Sequence, residues 1–412
     1  MAGAWQRGDV LSNQSRLPWI AYAELTALFF MQGAALGMWF VPLTNVLDTH
    51  GLQAIKPFAF ATSGIAAFIS PLFFGAVADR HVAPVVVLRA LALATAGAMT
   101  LACFAIQSGN PWLALGAIQL HALCSSPAWS IAATVVLSTL RDARSEFGPI
   151  RAVATVGWMA GCWLVSALDA DASVRAGFFG AVAWLLVAGL TFFLPRRDPP
   201  ASTQPVTLRE RFGLDALALL KNSDHRVVFI TAALFNFSLA AFYPYTPPHL
   251  RELGFTHTSS WMTLGQVTEI IAMLALARML TRWRLKWIIT AGLIFGIVRF
   301  VLCALNDRAW MLVSITLHGA SFTLVAITAQ IYLEQRVDPA WRARAQALLS
   351  LMVSGFGSLS GYLVSGWWFI RVAREGGGRD WPLFWSGVVA VTGLVGIYFL
   401  AAYRGRGKSE RI

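Results

Sequence analysis

Glu269 lies near the centre of an apolar run from Trp261 to Leu280. About 20 such residues cross a bilayer. A carboxylate at that depth costs a few kcal/mol at least, so it normally faces a protein interior or a watery cavity. Gln266 precedes it by three residues and shares its helix face, with Thr268 beside that face. A polar face inside the membrane suits the passage of a polar solute. A carboxylate in a cavity open to each side in turn can also load a proton on one side and release it on the other. The alternative reading is a protonated Glu269 that ties two helices together by hydrogen bonds.

The surrounding chain fits that depth. Of its 412 residues, 57% are hydrophobic and only 13% are charged, about half the charged share of a soluble domain. The apolar residues fall in long blocks, which predicts an all-α polytopic membrane protein. Twelve candidate spans are expected. The first six cover 20–44, 55–78, 83–106, 111–139, 150–168 and 175–195. The second six cover 226–249, 259–281, 286–306, 309–333, 343–370 and 382–403. Between them, 196–225 is the one long polar segment and carries Pro199, Pro200 and Pro205. It divides two six-helix halves, 1–195 and 226–412, as a linker would. Residues 1–17 are polar, so the first span reads as an uncleaved anchor.

With the N-terminus inside, the inner segments hold 22 of the 32 Lys and Arg, and the outer segments hold seven. This asymmetry predicts both termini and the linker in the cytoplasm. It also accounts for the net charge of +12 through topology and lipid headgroups, without nucleic acid. Cys103, Cys124, Cys162 and Cys303 all fall in apolar runs and read as small buried hydrophobes. His121 and His318 are lone histidines within spans, without metal-ligand spacing. Trp112, Trp283, Trp287, Trp310 and Trp381 sit near span ends, where a belt of anchors is expected. The sequence leaves open whether Arg299 reaches outward or pairs inside the bundle.

Six plus six spans around a cytoplasmic loop resemble the major facilitator superfamily, whose pseudo-symmetric halves rock about a central site. Gly75, Asp79 and Arg80 run from the end of the second span into the loop after it and resemble that superfamily's Gly-x-x-x-Asp-Arg motif. The resemblance implies a conformational latch there. Further stretches resemble the nucleoside–proton symporters of this superfamily: Gly148-Pro149-Ile150-Arg151, then Thr155 and Trp158; Gly213-Leu214-Asp215; Gln266 to Glu269 with Arg299-Phe300; Gly319 to Phe322; and Arg342 through Gly357.

The resemblance implies that Arg151, Thr155 and Trp158 bind a nucleoside, with Gln266 and Glu269 as ribose and base ligands. It implies that His318 and Phe322 pack against the base, with His318 in place of a tyrosine-like residue. For Arg151 the rival reading is a marker of the cytoplasmic end of span five. Two departures stand out. The family's proton-coupling Asp is Thr323 here, which cannot titrate. The family's Gln and Asn of span seven align with Ala240 and Tyr243, in a segment where Pro244, Pro247 and Pro248 are expected to kink or end the helix. Glu269 is then the remaining candidate for proton coupling.

The reading is a monomeric secondary transporter in a bacterial inner membrane, taking up nucleosides with protons by alternating access. A sugar or other small polar metabolite is the alternative solute, and a sensor that binds without transport is the alternative activity. An enzyme is not expected, since no nucleophile–base pair or ligand set lies at membrane depth. No Walker motif or cofactor motif is present. The expected partners are the solute, protons and membrane lipid.

Overall fold

The protein is described by a computed structural model for residues 18–78, 82–140, 142–196, 207, 209, 214–372 and 378–405. The regular structure among them is helical. Ten helices are long and apolar enough to cross a membrane, from Trp19–Thr49 to Trp381–Ala402. Lys56–Ala78 and the shorter apolar Arg175–Leu190 are further helices. Gly75 falls in the first of these; Asp79 and Arg80 of the predicted latch lie outside the described residues.

Local signals set the ends. Pro84 and Pro111 open their helices, where a missing N–H costs nothing. The side chains of Asn110, Asn222 and Asp307 each accept two backbone N–H bonds at a helix start. Gly109, at φ +69°, follows the end of Pro84–Gln107, a left-handed position that glycine takes without strain.

Five places differ from the sequence expectation. The fifth predicted span starts at Ala143, not 150. The Asp142 N–H donates to the Glu146 carboxylate at 3.2 Å and anchors that start. Arg151 therefore sits inside a helix. The seventh breaks at Ala240–Ala241, before the prolines, into Ser223–Leu239 and Phe242–Glu252. Pro244 has no N–H for the Ala240 carbonyl, which opens the break as expected, whereas Pro247 and Pro248 lie inside Phe242–Glu252 and do not end it. The tenth and eleventh each carry a π-helical stretch, Thr323–Ile327 and Leu351–Ser358. Finally, Trp381 is no belt anchor. It is buried, stacks on His249 at 4.4 Å and donates to Glu252 at 2.6 Å. Trp112, Trp283, Trp287 and Trp310 are exposed as expected.

Small residues bring helices close. A Cβ on Gly33 or Gly37 would stand 2.0 or 2.4 Å from the carbonyl oxygens of Ala154 or Trp158. In return, a Cβ on Gly157 or Gly161 would meet those of Phe30 or Ala34. Trp19–Phe40 and Ala143–Ala167 thus touch backbone to backbone. One hydrophobic cluster is built almost wholly from residues 25–194 and a second from 216–403. A third joins Val41 and Cys162 to residues 241–388.

Candidate functional site

Between these clusters lies a cavity of about 430 Å³, within the usual range for a small-molecule site. Ala143–Ala167 contributes Arg151, Thr155 and Trp158 along one face. Phe40 and Trp129 lie beside them. From the other side come Tyr243, Gln266, Glu269, His318 and Phe322. Every binding residue read from the sequence lines this one space. Thr268 does not; its hydroxyl donates to the carbonyls of Gly265 and Thr316 on the helix side.

The polar groups are arranged sparsely. The Arg151 guanidinium lies 4.3 Å over the Trp129 ring, a cation–π placement that fixes the side chain. Glu269 is within electrostatic reach of Arg151, yet no hydrogen bond or ion pair joins them among the described residues. A solute can therefore lie between a cation and a carboxylate. Gln266 donates to the Tyr243 hydroxyl at 3.3 Å, and its own Oε1 is buried without a partner. The Trp158 indole N–H is likewise buried and unpaired. Unpaired buried groups are costly, so both mark positions that a polar solute would satisfy.

Aromatic rings form the rest of the wall. Tyr243 meets Phe40 edge-on at 5.1 Å and Trp158 at 6.0 Å. His318 stacks on Phe242 at 4.3 Å and on Phe322 at 6.2 Å. Behind His318 is Arg299, fully buried, whose Nη1 lies 2.5 Å from His318 Nδ1. Arg299 pairs inside the bundle and does not reach outward. Flat rings with few, separated donors and acceptors suit a planar heterocycle carrying a hydroxylated group.

At one end of the cavity the two sets of helices are tied together. Thr44 donates to the Pro244 carbonyl at 2.6 Å, Asn45 to Thr258 at 3.0 Å and Trp163 to Thr263 at 3.0 Å. Asp171 accepts from the Ser259 N–H at 2.6 Å and from Thr258 at 3.3 Å.

A family model described as "Nucleoside H+ symporter" matches residues 21–408. The chain belongs to the nucleoside H+ symporter family. A similar relative of this symporter is the putative nucleoside transporter YegT of Escherichia coli (strain K12). It is 29% identical over 401 residues, covering 93% of each chain. The nucleoside permease NupG of the same organism is 25% identical over 406 residues, covering 92% of this chain and 95% of that one. The crystal structure of NupG shares the fold with a TM-score of 0.83 at 24% identity, over 94% of this chain and all of that one. A peptide transporter structure at 13% identity and TM-score 0.73 shares it more loosely.

The symporter's cavity also holds residues that the sequence reading missed. Asn236 lies one turn before Ala240 on the same face and lines the space. Its amide donates to the Val353 carbonyl at 3.0 Å and to the Ser358 hydroxyl, so it braces the second π-helical stretch. Phe40, Trp129, Ser358 and Tyr362 also line the cavity. The helical spacing of Asn236 and Ala240 was the available signal for the first; the others carry none. Thr323 is buried, with an unpaired hydroxyl, and opens the first π-helical stretch.

Proposed function

We propose that this chain is a proton-coupled nucleoside transporter that works by alternating access. One observation carries the reading: Arg151, Thr155 and Trp158 face Gln266, Glu269, His318 and Phe322 across a single cavity, in which Glu269 is the one carboxylate among the described lining residues. Arg151 and Gln266 hold hydroxyls or base carbonyls. Thr155, Trp158 and Tyr243 shape the wall beside them, Phe322 stacks the base, and His318 packs against its edge. Glu269 binds the solute and carries the coupling proton, since Thr323 cannot.

The architecture we propose is twelve spans in two halves, 1–195 and 226–412, joined by the cytoplasmic linker 196–225. Both termini face the cytoplasm of a bacterium, the membrane is the inner one, and the working unit is a monomer. The basic residues of the inner segments support this orientation. In it, the tied end around Asn45, Asp171 and Thr258 is the outer one, so the cavity faces inward. Gly75, Asp79 and Arg80 form the inner latch of the opposite state.

Purified protein in lipid vesicles tests the reading. Labelled uridine should accumulate when the outside is made acidic and only equilibrate at equal pH. Thr323 favours a second reading, a sensor that binds without coupled transport. Tight uridine binding with no uptake in either condition would establish that one instead.

A further inference from the structure

Arg299 sits between two aromatic faces, its guanidinium carbon 4.2 Å from the Phe242 ring and 4.5 Å from the Phe300 ring. It is fully buried, and its Nη1 meets His318 Nδ1 at 2.5 Å. A guanidinium has donors and no acceptor. In that contact His318 Nδ1 must accept, so the ring proton resides on Nε2. A doubly protonated ring would set N–H against N–H and cation against cation. Among the described residues His318 Nε2 has no hydrogen-bond partner, and its ring lines the cavity. Stacking on Phe242 leaves the ring little freedom to turn.

We infer that Arg299 is a positioning residue that locks His318 as a pure hydrogen-bond donor, so the site selects nucleosides presenting a carbonyl at the base edge over those presenting an amino group. A hydroxyl in this place could donate or accept and would tolerate both. The Nε2–H cannot accept. An exocyclic keto group satisfies it, whereas an amino group sets donor against donor and leaves a buried N–H unmade. The inference rests on the nucleoside reading of this cavity.

Initial uptake of labelled inosine, adenosine, uridine and cytidine into vesicles tests it, since the pairs differ chiefly in keto against amino. The keto member of each pair should be favoured about tenfold or more. Arg299→Lys, still donor-only, should keep the preference. Arg299→Gln and His318→Phe should bring the ratio to about one. Equal uptake of all four by the wild type would overturn this inference alone, as would Arg299→Gln transporting with the wild-type ratio. Uptake of none would overturn the transport reading and this inference with it. Should Arg299→Gln fail to fold, ring-nitrogen NMR decides. The His318 signals, identified by their loss in His318→Phe, should show a bare Nδ1; a protonated Nδ1 overturns the inference.

Discussion

Arg151 and Glu269 face the same cavity from opposite sets of helices, close enough to interact electrostatically and joined by no direct bond. A solute bound between them would touch both, and each can be removed separately.

Glu269→Gln keeps the size and hydrogen bonding of the side chain and removes its titration. Uptake driven by a pH gradient should fall to background, while exchange of labelled for unlabelled uridine at equal pH persists. Concentration of uridine by this variant under a gradient would move the coupling to another group.

Arg151→Ala removes a cation stacked on Trp129 and a charge-assisted ligand. Affinity should drop by about ten- to hundredfold, from a lost bond of roughly 1.5–3 kcal/mol. Protein yield and melting temperature should stay close to wild type. Binding measured by calorimetry at wild-type strength would return Arg151 to a topological role.

Asp171→Ala deletes an acceptor for the Ser259 N–H and the Thr258 hydroxyl. Losing such contacts costs about 1–3 kcal/mol in this conformation. The equilibrium should shift toward the state open at that end by roughly fivefold or more. A cysteine placed beside Asn45 should then react faster with an impermeant thiol reagent. An unchanged rate would mean that Asp171 does not help hold the end closed.

Gly319→Ala should be poorly tolerated. Its Cβ would fall 2.1 Å from the Glu269 backbone nitrogen and 2.2 Å from the Gly265 carbonyl oxygen. Backbone cannot yield as a side chain does, so Leu264–Arg282 and Arg308–Phe322 must separate. A lowered melting temperature and weakened uridine binding are expected together. Loss of neither would show that the helices have room to part.

Much of this was legible because bilayer thickness imposes length and polarity rules that any span must obey. Glu269 stood out for that reason, and its cavity partners followed from helical spacing and family resemblance. Other features had no such rule behind them. The start at Ala143 was hidden because Arg144, Glu146 and Arg151 look like loop charges. The π-helical stretches have no residue-type signature. Arg299 was undecidable because its partner, His318, belongs to the next helix. Trp381 looked like an anchor because burial against His249 is a tertiary fact.

The glycine seam between Trp19–Phe40 and Ala143–Ala167 has a mechanical meaning. Where side chains separate two helices, they can switch rotamers and let the pair slide. Here carbonyl oxygens stand where a methyl group would not fit, so no soft layer is present to shear. The pair must turn as a single stiff lever. Phe40, Arg151, Thr155 and Trp158 stand on these two helices and should be carried together. Adjustment to different solutes then falls to the facing wall, where the helix breaks at Ala240 and two other helices carry π-helical turns.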